Sequence, residues 1–154
     1  RKIINLIFIF LITAFFACKK HSEYANMVSF PAEKWETDNI LQFNPLIQDT
    51  ISLYNIHIHI RNTNKYPFSN IYLFIDILQP DNTMLKDTVQ GILADNKGNW
   101  LGKGKGRIKS NEFMYKYNIR FPQAGKYVFA VQQAMRTESL EGIVSVGMEI
   151  SKNK

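Results

Sequence analysis

At 154 residues the chain has the length of one domain, and 45% hydrophobic residues are enough to fill a core. Its formal charge of +6 falls to +4 without Arg1 and Lys2, and the basic residues are scattered apart from Lys103, Lys105, Arg107 and Lys109. That pattern argues against a nucleic-acid module, and a single cysteine excludes an internal disulfide framework.

The first 17 residues read as a cleaved signal peptide. Arg1 and Lys2 form a basic start, Ile3 to Phe16 is apolar except for Asn5 and Thr13, and small Ala17 precedes Cys18. A transmembrane helix is the competing reading. The 14 residues of that run would span roughly 21 Å as a helix, short of the roughly 30 Å hydrocarbon core. A lone cysteine directly after such a leader fits a loose lipobox, with Phe15 and Phe16 in place of the usual Leu and small residue. Cys18 is therefore expected to be acylated and to become the new N-terminus. Two or three acyl chains anchor stably where one does not, because each buried methylene contributes only about 0.8 kcal/mol.

Residues 18–29 are polar without a clear period and read as a lipidated tether, with the folded domain over 30–154. In that domain Tyr54, Ile56, Ile58 and Ile60 alternate with Asn55, His57, His59 and Arg61, the pattern of a half-buried strand. Ile71 to Leu78 is apolar on both faces except at Asp76, which predicts a central strand. Phe113 to Phe121 alternates again, and Tyr127–Val131 and Ile143–Ile150 complete the clear set. Leu41–Phe43, Thr88–Leu93 and Gly106–Lys109 are weaker strands.

Turn chemistry separates these runs. Pro80-Asp81-Asn82 suits a type I turn, and Asp95-Asn96-Lys97-Gly98 supplies a glycine for a hairpin. Gly125 two places before Tyr127 resembles a tyrosine corner. Ala134 to Leu140, with Gly142 as a C-cap, predicts one short helix. No repeats or low-complexity segments interrupt the pattern. Many short strands with regular turns predict an all-β chain folded as a single β-sandwich, jelly-roll or Ig-like, with a closed barrel as the alternative.

Signals for chemistry are sparse. His57 and His59 share a strand face, but the third ligand a metal needs is not identifiable beyond His21, Asp49 or Asp76. Gly102-Lys103-Gly104-Lys105-Gly106 fails the spacing of both the phosphate loop and the dinucleotide motif, and reads as an exposed bulged hairpin. No serine carries a nucleophile-elbow pattern, and paired carboxylates cannot be located from sequence. No cofactor is expected. Tyr66-Pro67-Phe68 follows a polar turn and Trp100 sits among glycines, so these aromatics fit a protein interface, sugar stacking or packing at the sheet ends. Tyr66, Phe68, Asn70, Trp100, Lys103 and Lys105 are the candidate binding residues.

Several blocks taken together resemble the GldH family of gliding-motility lipoproteins from Bacteroidetes. They are Arg61-Asn62, Tyr66-Pro67-Phe68-Ser69-Asn70, Asp87-Thr88 and Leu93-Ala94-Asp95. Gly98, Trp100, Leu101, Gly102, Gly104 and Gly106 follow, then Met135-Arg136, Leu140, Gly142-Ile143, Val146 and Gly147. The resemblance runs in order through nearly the whole mature chain. It implies a non-catalytic lipoprotein of the gliding-motility and type IX secretion machinery, with protein components of that apparatus as partners. It also implies a side of the membrane. Surface-exposed lipoproteins of this group usually carry consecutive acids after the cysteine, and Lys19-Lys20-His21-Ser22 has none, so the expected place is the periplasmic face of the outer membrane, with retention at the inner membrane as the alternative. An envelope glycan-binding module is the alternative function.

Overall fold

The computed structural model describes residues 22–153; the leader and Cys18 lie outside the described residues. The described chain is all strand, turn and loop. Its strands are β1 (Ser22–Ser29), β2 (Lys34–Glu36), β3 (Leu41–Phe43), β4 (Leu46–Ile47), β5 (Tyr54–Thr63) and β6 (Asn70–Leu78). They continue with β7 (Met84–Ile92), β8 (Ile108–Ile119), β9 (Gly125–Lys126), β10 (Val128–Gln133), β11 (Ser139–Glu141) and β12 (Ile143–Lys152).

Eight of these build two four-stranded sheets, ordered β1-β12-β5-β8 and β3-β10-β6-β7. Counted along the chain, the eight pair first with last, second with seventh, third with sixth and fourth with fifth. A long nested hairpin rolled onto itself gives this connectivity, the jelly roll, which decides between the two sandwich types expected. β2 with β11 and β4 with β9 form two small satellite ribbons.

The period-2 pattern sets the core. Tyr54, Ile56, Ile58 and Ile60 on β5, with Val146, Met148 and Ile150 on β12, face Leu73, Ile75, Phe129 and Val131 of the other sheet. β6 lies inside its sheet, between β10 and β7, as the sequence suggests. Only one of its faces is covered. Ile71, Leu73, Ile75 and Ile77 are buried, whereas Tyr72 and Phe74 are 39% and 48% exposed.

Two local expectations are corrected. Residues 22–29, read as tether, form edge strand β1 against β12, running from Ser22↔Ser151 to Ser29↔Ser145. Tyr24 and Val28 pack on the core while the remaining side chains face water, so the stretch is polar in composition although its backbone is paired. Residues 134–140 are not helical. β11 pairs with β2 so that Leu140 lies opposite Trp35, and both are fully buried. Burying those two side chains outweighs a weak local helix preference. Gly142 (φ +79°) instead serves a close approach, since a β-carbon there would overlap the Tyr66 amide nitrogen.

The turns follow their chemistry. Asp95 Oδ1 accepts the Lys97 and Asn99 amides, and Gly98 takes φ +80°. Tyr127 donates its phenol to the Gln123 carbonyl at 2.9 Å and sets its ring edge-on to Phe121, the expected corner.

Candidate partner-binding surface

The jelly roll has two ends. Ser22, Asn55, Ile119 and the 81–83 and 122–124 loops mark one, while Phe30, Thr63 and the 93–107 hairpin mark the other. The loop after β5 and the hairpin after β7 meet at the second end. The amides of Leu93 and Ala94 both donate to Ser69 O, at 2.8 and 2.9 Å.

That junction turns two of the predicted aromatics inward. Tyr66 is 2% exposed, and its hydroxyl donates to Asn70 O at 2.8 Å. Burial pushes the phenol pKa well above its ordinary value. Its ring packs edge-on to Phe68 at 5.7 Å and tilted against half-buried Trp100 at 6.5 Å. Tyr66 and Trp100 therefore buttress the junction from beneath. Phe68 remains 37% exposed and Leu101, next to Trp100, is 58% exposed. Asn70 is half-buried at the start of β6, opposite Ile92. Lys103 is held by paired backbone hydrogen bonds to Ser110, and both Lys103 and Lys105 are exposed.

A groove of about 480 Å³ runs from this hairpin onto the outer face of the first sheet, between Ile92, Leu101 and Lys103 on one side and Ser110, Glu112 and His59 on the other. Register assembles its polar floor. Glu112 on β8 pairs with His59 on β5, and Glu149 on β12 pairs with His57. Glu112 lies 3.8 Å from His57 and 4.0 Å from His59, whose Nε2 is 3.3 Å from Glu149. Nδ1 of His57 is buried with no hydrogen-bond partner among the described residues.

The sequence places the two histidines on one face and offers Glu112 as one of several carboxylates, but it sets neither Glu112 nor Glu149 beside them. Cross-strand register is not written in any local pattern. The other carboxylates considered for a metal lie elsewhere: Asp49 bonds Ser52 and Lys152, and Asp76 pairs with Lys86 on the other sheet. His21 is outside the described residues. Around the corner, Tyr72 and Phe74 on β6 with Met84 and Ile92 on β7 leave the outer face of the second sheet partly apolar. The groove and this face offer apolar contact beside fixed charge, the make-up of a recognition surface.

A family model described as GldH lipoprotein matches residues 22–150. The chain is 36% identical to a gliding motility lipoprotein GldH homolog of Christiangramia forsetii, over 96% of this chain and 94% of the relative. It is 31% identical to the gliding motility lipoprotein GldH of Flavobacterium johnsoniae, over 89% of each. Among solved structures, Eiger TNF from S. frugiperda aligns over 88% of this chain and 89% of its own at 10% identity, with a TM-score of 0.37, too low to bear on function.

Proposed function

The chain belongs to the GldH family of gliding motility lipoproteins, and from that premise we propose that it is a non-catalytic assembly component of the type IX secretion and gliding machinery. Acyl chains on Cys18 hold it at the periplasmic face of the outer membrane. Its partner surface is the end of the jelly roll that carries Phe68, Leu101, Lys103 and Lys105.

The observation that carries this reading is the polarity of the domain. Cys18 stands four residues before Ser22, where β1 begins, a reach of roughly 14 Å when fully extended. An acylated Cys18 therefore keeps the Ser22 end of the sandwich against the bilayer. The Phe68–Leu101 end then points away from the membrane, where an envelope partner meets it. Absence of consecutive acids after Cys18 supports retention on the periplasmic side.

The non-catalytic part rests on where charge is spent. Each described carboxylate whose pKa lies below its ordinary range is tied to a structural partner. Glu33 is held by Arg107, Asp49 by Ser52, Asp81 by the Thr83 amide, Asp95 by Asn99 and Asp87 by Lys116. These contacts stabilise the ionised form and cap turns or tie distant segments together, which is the opposite of a poised general acid.

Photocrosslinkers placed at Phe68 and Leu101 in cells test the assignment. A discrete crosslinked partner, lost on Lys103→Glu and Lys105→Glu in a stably folded chain, is the expected result. Crosslinking only from Ser22-end positions such as Ile51 would overturn it.

A further inference from the structure

The two sheets are not closed along one side. β7 and β8 are edge strands of opposite sheets, bridged where Asp87 meets Tyr115 and Lys116. Toward the Ser22 end of that bridge the sheets part into a cleft of about 340 Å³, walled by Ile56, Ile77, Leu85, Ile119, Phe121 and Phe129. Ile56 and Phe129 are buried at its floor, and Leu85, 47% exposed, stands at the mouth.

The rim is cationic. Lys116 and Arg120 both line the cleft. Asp87 neutralises Lys116 at 2.8 Å, while Arg120 spends only Nε, on the Ile51 carbonyl, and has no carboxylate partner among the described residues. A mainly apolar, open cleft beside an unneutralised guanidinium fits one kind of guest, an apolar chain ending in a planar anion.

We propose that this cleft binds a medium-chain fatty acid, with its alkyl chain between Ile77, Leu85 and Phe121 and its carboxylate on Arg120. The volume, near the small end of the roughly 300–1,000 Å³ usual for ligand pockets, seats one chain, whereas a phospholipid brings two. The cleft lies toward the end of the sandwich where β1 begins, on the opposite edge of the first sheet from β1. Ready supply of acyl chains there rests on the acylated-Cys18 reading, although the binding chemistry does not.

The full chain, extracted from membranes and held in amphipol, is irradiated with a diazirine-bearing dodecanoate and mapped by peptide mass spectrometry. Saturable labelling of Leu85, Ile119 or Phe121 is expected, falling at least fivefold in both Leu85→Trp and Arg120→Glu with thermal unfolding unchanged. Competition should tighten roughly fourfold per methylene from octanoate to dodecanoate, and dodecanol should compete poorly. Diffuse labelling, labelling indifferent to either variant, equal competition by dodecanol, or displacement by an anionic phospholipid instead would each overturn the proposal. The intact mass of the same sample reports acylation of Cys18 separately, so the two readings fail independently.

Discussion

The phenol of Tyr115 donates to Asp87 Oδ2 at 2.5 Å, and this bond ties the edge strand of one sheet to the edge strand of the other. Lys116 Nζ meets the same carboxylate oxygen at 2.8 Å. Elsewhere the sheets are held mainly by apolar contact, so this is a polar latch on the open side of the jelly roll. Hydrogen bonds to a charged group contribute about 1.5–3 kcal/mol when sheltered. The half-exposed site argues for the lower part of that range. Asp87→Asn and Tyr115→Phe should each lower stability by about 1–2 kcal/mol, and the double variant should cost less than their sum. Equilibrium urea unfolding measures both.

The latch has a pH signature. Hydrogen bonds from Lys116 and then Tyr115 depress the Asp87 pKa below its ordinary value. A depressed carboxylate contributes stability that is present above the unfolded-state pKa, about 3.9, and is lost as pH falls through the folded value. Wild type should therefore lose its advantage over Asp87→Asn below about pH 4, and chemical unfolding at stepped pH should show the two curves converging there.

Gly142 carries a backbone requirement. At φ +79°, with its amide donating to Glu33 O at 2.8 Å and the Tyr66 backbone pressed against it, there is neither a favoured conformation nor room for a β-carbon. Gly142→Ala should destabilise by about 2–4 kcal/mol, combining left-handed strain with overpacking. Differential scanning calorimetry would show the loss, and an unchanged midpoint would contradict this geometry.

Trp35 anchors the satellite ribbon. It is fully buried, stacks on Phe30 at 5.7 Å and donates its indole N–H to the Asn39 carbonyl at 2.8 Å. Trp35→Phe keeps much of the volume but leaves that carbonyl without its donor, while Trp35→Ala also opens a cavity. The alanine variant should lose about 3–5 kcal/mol, and the phenylalanine variant clearly less, by the same calorimetry.

Anchoring is separable from folding. Cys18 precedes every residue of the sandwich, so Cys18→Ser should release a normally folded domain from the membrane fraction. Cell fractionation with circular dichroism of the released protein checks both halves. A variant that stays in membranes would mean that something other than acyl chains holds it.

The layers were legible in the order of residues alone. The period of two in Tyr54–Ile60 is that of a strand with one covered face. The alternation expected through Phe113–Phe121 breaks at Tyr117, which is 64% exposed where the β5–β8 register shifts and Asn118 takes φ +51°. The Asx and glycine residues of Asp95–Gly98 mark the turn after β7. The ordered blocks from Arg61 to Gly147 likewise carried the family. Edge strand β1 escaped notice, since an edge strand covered on one face only shows too few apolar positions to stand out.

Which loops meet, and what each exposed residue does there, depends on how the two sheets roll together. Tyr66 and Trp100 are 34 positions apart, and neither local context says that the other's ring lies beneath it. The same holds for Glu112 beside His59 and for Asp87 beneath Tyr115. Nested pairing of first strand with last brings distant residues into register, and pairing energy depends on the partner strand rather than on neighbours along the chain. Local pattern fixes which way a side chain points; the roll of the sheets fixes what it touches.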